Sequence, residues 1–233
     1  MEIKPLPKIS DLWIVVPAYN EMSRIGKTLS RLKYRSFDNI VVVDDGSKDK
    51  TGELALSSGV WVVTHPINCG QGAALQTGID FALQRGARII VTFDADGQHA
   101  PEEVADLIGP IMAGTADVVL GSRFLGRAIN IPPSRKWVLK AGVLFTRIIS
   151  RVRVTDVHNG FRALSREAAQ RIRISQNRMA HASEILDQIR LAGLRFQEVP
   201  VTIQYTEETM AKGQSSWNAI KIAMQMVLGR FTQ

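Results

Sequence analysis

Five short apolar runs mark the first half of the chain: residues 12–19 (LWIVVPAY), 39–45 (NIVVVDD), 60–65 (VWVVTH), 88–96 (RIIVTFDAD) and 117–123 (DVVLGSR). The runs are continuous rather than alternating and rich in β-branched residues, which predicts strands buried on both faces. Helix-length segments separate the first four, and another spans Pro101 to Ala113. Strands spaced in this way predict an α/β fold, a mostly parallel central sheet with helices on both faces. In such sheets ligands bind beyond the carboxyl ends of the strands. Those ends carry Asn20 and Glu21, Asp44 and Asp45, His65, Asp94 and Asp96, and Arg123. The acids of chemical interest in the front half are therefore expected at one edge.

The pattern changes after Arg123. LGRAINIPPSRK (125–136) predicts a proline-containing link. RKWVLKAGVLFTRIISRVRV (135–154) then interleaves cations with Trp137, Leu139, Val143, Leu144, Phe145, Ile148, Ile149 and Val152, the pattern of a basic amphipathic helix. Such a helix either packs on the core or lies in a membrane interface with its cations on lipid phosphates. A helix from Ala182 to Ala192, a strand over 197–205 and an amphipathic segment over 217–231 complete the reading.

At 233 residues the chain fits one domain around one core. No apolar run reaches the ~18 residues needed to cross a bilayer, and the N-terminus has no leader-like segment, so neither a spanning helix nor export is expected. The single cysteine, Cys69, excludes an internal disulfide and suits a reducing compartment. The net charge of +7 is unevenly spread. Residues 1–120 hold 11 Lys/Arg against 15 Asp/Glu, or −4, and the remainder holds 18 against 7, or +11. An acidic front and a basic back suggest a cation or nucleotide site in the first and an anionic partner for the second; a solvated basic face is the plain alternative.

Asp94 and Asp96 in DADGQH (94–99) stand two residues apart. On extended backbone both carboxylates project the same way and repel unless a cation joins them, as a hard divalent ion holding diphosphate oxygens does. The competing reading is a solvated turn at Asp96-Gly97. Asp44-Asp45-Gly46-Ser47 offers acceptors to a nucleoside, or simply a turn and a helix cap. NCGQGAALQTG (68–78) is a glycine loop entering a helix, able to bring backbone N–H groups to a phosphate or sugar, yet it matches neither G-x-G-x-x-G nor a Walker loop. The first strand ends in PAYNE, where a dinucleotide-binding oxidoreductase needs its glycine fingerprint. His99 and His158 read as ligand contacts or structural hydrogen-bonding groups. Asp156 and Arg162 are expected to form an internal ion pair. Glu184 is the candidate general base, or a helix-capping group.

Together, PAYNE (17–21), VVVDDGSKDKT (41–51), NCGQGAALQTG (68–78), DADGQH (94–99), GSRF (121–124) and GFRALSR (160–166) resemble, in order and spacing, the family 2 glycosyltransferases of the GT-A fold, and within them the dolichol- or polyprenyl-phosphate sugar synthases. The resemblance covers roughly residues 10–220. It implies a single GT-A domain over 1–233, with residues 10–123 as the nucleotide-sugar and metal half and 124–233 as the acceptor and membrane half. It implies that Pro17, Tyr19, Glu21, Val43, Asp45, Asp94 and Ala95 bind the nucleotide-sugar, Val43 lining the base and ribose pocket. Asp94, Asp96 and Gln98 would hold Mg²⁺ or Mn²⁺. Arg123 and Arg135 match the positions that hold the acceptor phosphate. Lys212 and Ser215 in AKGQSS match a lid over the diphosphate, although Thr209 and Ser216 depart from the family's basic residues there.

The implied reaction is inverting transfer of a sugar from a UDP- or GDP-sugar to a polyprenyl (undecaprenyl or dolichyl) phosphate. Asp94, Asp96, Arg123 and Arg135 would be its catalytic residues. The expected setting is the cytoplasmic membrane face, held peripherally by the amphipathic segments or by a small membrane protein; nucleic acid is not an expected partner. The alternatives are a glycosyltransferase extending a glycan on a sugar hydroxyl, with Glu184 as base, and a non-catalytic nucleotide-sugar-binding subunit.

Overall fold

Two cores, one on each face of the sheet, explain the continuous apolar runs except that at 60–65, which forms an edge strand with Trp61 half exposed rather than a strand buried on both faces. The structure, a computed structural model, describes residues 11–129, 131, 153–176 and 180–205. Strand β1 (Leu12–Ala18) is buried along its whole length. Trp13 and Val15 enter one apolar cluster, and Leu12, Ile14 and Val16 enter the other. Strand β2 (Ile40–Asp44) divides likewise, Val41 and Val43 on one side and Ile40 and Val42 on the other. Because side chains alternate across a strand, only an uninterrupted apolar sequence can fill both cores.

Helices cover each face. On one side lie α1 (Ile25–Tyr34), which buries Ile25, Leu29 and Leu32 at helical spacing, α2 (Thr51–Ser57) and α4 (Val104–Met112). On the other lie α3 (Gln71–Gln84), α5 (Arg166–Arg171) and α6 (Ala180–Leu191). Gly78 lets α3 settle directly on the sheet, since a Cβ there would stand 2.3 Å from Val15 Cγ1.

With β3 (Trp61–Thr64), β4 (Ile89–Thr92), β5 (Val118–Ile129), β6 (Arg162–Ser165) and β7 (Phe196–Gln204), the described residues form a seven-stranded sheet in the order β3-β2-β1-β4-β6-β5-β7. Six strands run the same way. β6 alone is antiparallel, wedged between β4 and β5 with Arg162 opposite both Thr92 and Leu120. The chain thus re-enters the carboxyl edge through residues 158–161 just before β6 begins.

Two expectations are corrected here, and one strand is added. β4 ends at Thr92, so Asp94 and Asp96 stand in a turn rather than on extended backbone. The Asp96 carboxylate accepts from the Gln98 N–H at 3.0 Å and Gly97 takes φ +76°, a left-handed value that suits glycine. The segment after Arg123 is not a link at once: β5 continues to Ile129 beside β7, after a register shift between Ser122 and Arg127. Gly126 fits there because a Cβ would lie 2.3 Å from the Val201 carbonyl. Finally, β6 was not foreseen, because RALS carries no strand pattern and pairs only because β4 and β5 flank it.

Candidate active site

A cavity of about 550 Å³ opens at the carboxyl edge of the sheet, near where β1 has β2 on one side and β4 on the other. Such a switch point is the expected crevice in an open α/β sheet. Of the residues singled out in the sequence, Pro17, Tyr19, Glu21, Asp45, Asp94, Ala95, Asp96, Gln98 and Arg123 all line it. Val43 does not: it is fully buried and packs under Gly78 of α3. Val43 lies on the same side of β2 as Asp45 but two residues back from the strand end, where α3 covers it. Arg135, Lys212 and Ser215, and the amphipathic segments over 135–152 and 217–231, lie outside the described residues.

Asp94 is held by two side chains. Its Oδ2 accepts from His99 Nε2 at 3.0 Å and its Oδ1 from Gln71 Nε2 at 3.3 Å. Burial opposes its charge, but the His99 hydrogen bond and the charges of His99, Arg162 and His181 prevail and hold the carboxyl below its ordinary value. His99 is 2% exposed, stacks on Phe161 with centroids 4.8 Å apart and meets the edge of Phe93. It is therefore a structural group that fixes Asp94, which explains a residue the sequence left open.

Asp96 behaves in the opposite way. Burial, then the charge of Asp94, pushes its carboxyl up to about 6. Two carboxylates on one turn, one of them reluctant to ionise beside the other, form a donor set that a divalent cation satisfies. Gln98 adds an amide oxygen, so the set consists of hard oxygen ligands of the kind Mg²⁺ and Mn²⁺ take. The residues present thus fit the ion.

Asp45 is committed to the protein. Its Oδ1 meets His65 Nδ1 at 2.7 Å and accepts from the Cys69 N–H at 2.9 Å, while Oδ2 accepts from the Gly70 N–H at 2.7 Å. His65 Nε2 reaches Thr77 Oγ1 on α3 at 2.9 Å. The N–H groups of Cys69 and Gly70 therefore hold Asp45 and are not turned to a phosphate. The carboxylate shapes the mouth of the cavity by pinning this loop to the end of β2. Glu21 is paired with Arg24 at 2.8 Å.

The side of the cavity beyond β6 and β5 is basic. Arg123 is buried on β5, where Nε donates to Asp156 Oδ2 at 2.6 Å and Nη1 to the Tyr205 hydroxyl. Burial works against its charge, but Asp156 and Tyr205 more than compensate and raise its pKa. Asp156 therefore pairs with Arg123 and not with Arg162. Arg162 instead donates to the Val157 carbonyl at 3.0 Å, and burial lowers its pKa to about 10, opposed by Asp94 and Asp156. Glu184 is not in the cavity. Its carboxylate accepts from the Ser175 N–H at 3.0 Å, the Gln176 N–H at 2.9 Å and the Ser175 hydroxyl, so it clamps the chain ahead of α6 rather than capping that helix.

Several lining residues escaped the sequence reading: Asn68, Gln71, Asn159 and His181. Asn68 and Gln71 sit in the glycine loop, which was noticed only for its backbone. His181 begins α6 in a stretch that reads as ordinary amphipathic helix, so nothing in the pattern marks it.

The sequence profile of Glycosyl transferase family 2 matches residues 13–173. An uncharacterized protein of Methanocaldococcus jannaschii is 40% identical over 94% of this chain and 91% of its own. The UDP-N-acetylglucosamine–dolichyl-phosphate N-acetylglucosaminyltransferase of Methanococcus voltae is 33% identical over 93% and 95%. The polyprenol monophosphomannose synthase of Mycolicibacterium smegmatis is 34% identical over 91% and 83%. Among solved structures, glucosyl-3-phosphoglycerate synthase from Mycobacterium tuberculosis superposes with a TM-score of 0.73 at 21% identity, over 96% of this chain and 84% of that one. Its complex with Mn²⁺, UDP and glucosyl-3-phosphoglycerate gives 0.71 at 20%, over 93% and 77%.

Proposed function

The chain belongs to glycosyl transferase family 2, and from that premise we propose that it is an inverting transferase moving a sugar from a nucleotide-sugar to a polyprenyl phosphate. The observation that carries this reading is the bipolar cavity. Asp94 and Asp96 form an acidic wall beyond β4, and Arg123 on β5 carries the basic one, with Arg162 of β6 between them and next to Asp94. A metal-bound diphosphate suits the first wall and an anionic acceptor the second.

Asp94, Asp96 and Gln98 would hold Mg²⁺ or Mn²⁺. When bound, the ion neutralises the diphosphate that leaves with the nucleoside. Pro17, Tyr19, Glu21 and the Asp45-pinned loop frame the nucleotide end. Arg123, held in one orientation by Asp156 and Tyr205, places the acceptor phosphate, and Arg135 is assigned the same task. Lys212 and Ser215 are assigned to cover the diphosphate. A phosphate oxygen is already ionised near neutral pH, so its attack on the sugar C1 needs no general base, and catalysis rests on positioning and charge. The binding of Glu184 outside the cavity agrees with this. The names of the Methanococcus and Mycolicibacterium relatives, a dolichyl-phosphate and a polyprenol-phosphate enzyme, support the acceptor class; the Mn²⁺ and UDP of the structural neighbour support the donor side. Attachment at the cytoplasmic membrane face, through the amphipathic segments or a small membrane protein, completes the proposal; no described helix is long and apolar enough to cross a bilayer.

A panel of radiolabelled UDP- and GDP-sugars, incubated with full-length protein, Mg²⁺ or Mn²⁺ and undecaprenyl phosphate, tests it. One donor is expected to carry label into the organic phase. Label that appears only on a water-soluble glycan acceptor would assign the chain to hydroxyl transfer instead.

A further inference from the structure

The turn that carries the chain back to the sheet edge is held on every side. Arg162 Nη2 binds the Val157 carbonyl at 3.0 Å, Asn159 Oδ1 accepts from the Phe161 N–H at 3.1 Å, Thr92 Oγ1 donates to the Gly160 carbonyl at 2.5 Å, and the Gly121 N–H donates to the Phe161 carbonyl at 2.9 Å. Gly160 itself lies so close to Asp94 that a Cβ would stand 2.5 Å from Oδ1. Restraints of this density preorganise whatever side chain the turn presents. The turn lines the cavity with His158 and Asn159; Asn159 is spent on the turn through its Oδ1, whereas His158 is not part of the network that fixes it.

His158 Nδ1 is buried and has no hydrogen-bond partner among the described residues. A sealed lone pair costs less than a sealed N–H, so the ring proton belongs on Nε2. That is the nitrogen left to meet the cavity. Burial first, with Arg123 and Arg162 adding to it and Asp156 opposing, brings the imidazole pKa down to about 4, so the ring is uncharged at neutral pH. A third cation beside two guanidinium groups would be repelled by both; an uncharged donor adds a directed hydrogen bond without that penalty.

We propose, resting on the reading of the cavity given above, that His158 is a further acceptor-binding residue, donating from Nε2–H to a phosphate oxygen of the polyprenyl phosphate beside Arg123. Arg123 supplies charge that Asp156 already partly balances, and His158 supplies direction. The pair together would fix which oxygen faces the sugar.

The test uses full-length protein with Mg²⁺, a saturating donor and varied undecaprenyl phosphate. His158→Leu is expected to raise the acceptor KM about 10- to 100-fold, the range for a lost hydrogen bond to a charged group, with the donor KM within twofold of normal. His158→Gln, which returns an N–H near Nε2, is expected to recover most of the loss. Thermal melts establish that both variants fold. A rise in donor KM alone, or an acceptor KM within twofold of wild type for His158→Leu, overturns the proposal. Independently of turnover, ¹⁵N-resolved imidazole spectra should show the Nε2–H tautomer, and titration with a short water-soluble isoprenyl phosphate should move that signal. An Nδ1–H tautomer, or no movement at saturation, overturns the proposal as well. Wild-type protein that transfers nothing to undecaprenyl phosphate would instead defeat the functional reading, and the spectra would still decide whether His158 meets a phosphate.

Discussion

The acidic and basic walls of the cavity are built by different means. Asp45 and Asp94 follow directly on the parallel strands β2 and β4, which flank β1, each a residue or two beyond the strand, and partners that fix them lie in loops at the same edge. Arg123 also follows an apolar run, but it is fixed by Asp156, 33 positions later, and by Tyr205, 82 positions later. The turn holding His158 arrives only because β6 runs against its neighbours. The first wall is thus a property of repeated strand–helix units, and the second a property of tertiary closure. If that contrast is correct, damage to the acidic wall should remove chemistry and spare the fold, whereas damage to the basic wall should cost both.

The largest expected effect is on chemistry. Asp96→Ala should lower transfer by about a thousandfold or more, the several kcal/mol that metal stabilisation of a leaving diphosphate supplies. Its thermal melt should not fall, because Asp96 is a destabilised carboxylate whose removal relieves repulsion with Asp94. Transfer at the normal rate in this variant would refute the metal assignment.

Asp156→Ala comes next and tests the other wall. It leaves the Arg123 guanidinium buried without its carboxylate, which costs about 3–5 kcal/mol. For a chain of this length that is a fall in Tm of about 6–20 °C, with transfer also lost as Arg123 loses its orientation. An unchanged melt would mean that Arg123 is not buried in solution as it is here.

How much of this was legible follows the same division. The strands, their shared edge and nearly all of the acidic wall could be read because burial on two faces leaves an unmistakable apolar run. Local detail inside that wall could not: Val43 shares the α3 side of β2 with Asp45 but lies one step deeper, under Gly78, and the strand before Asp94 and Asp96 ends at Thr92, four residues short of the 88–96 run. On the basic wall Arg123 was legible through its motif alone. Its partner was not, since Asp156 is nearer in sequence to Arg162, and only the antiparallel β6 decides which arginine it meets.

The two walls should also respond to pH in opposite senses. Asp96 titrates near 6 when folded against 3.8 otherwise, so the folded state holds the extra proton and stability falls as pH rises from about 4 to 6. His158 titrates near 4 when folded against 6.5, so the unfolded state holds the extra proton and stability rises with pH from about 4 to 6.5. Each contributes up to ~3 kcal/mol, and in metal-free wild-type protein they largely cancel. Denaturant midpoints between pH 4 and 7 should therefore tilt downward with pH in His158→Gln and upward in Asp96→Asn, relative to wild type. Three parallel curves would contradict both environments at once.

The smallest expected effect discriminates between reactions. Glu184 accepts three donors from Ser175 and Gln176, so Glu184→Gln sets an amide N–H against at least one of them and should cost about 1 kcal/mol of stability. Transfer to polyprenyl phosphate should stay within about twofold of wild type, because an ionised phosphate brings its own nucleophile and the carboxylate does not line the cavity. An enzyme that relied on Glu184 to deprotonate a sugar hydroxyl would instead lose about 10²–10⁴-fold. The comparison is useful because the substitution barely perturbs the fold. A large loss of rate with a nearly normal melt could only mean that Glu184 swings from its clamp into the cavity during turnover, and the division of labour between the two walls would then need a third, moving part.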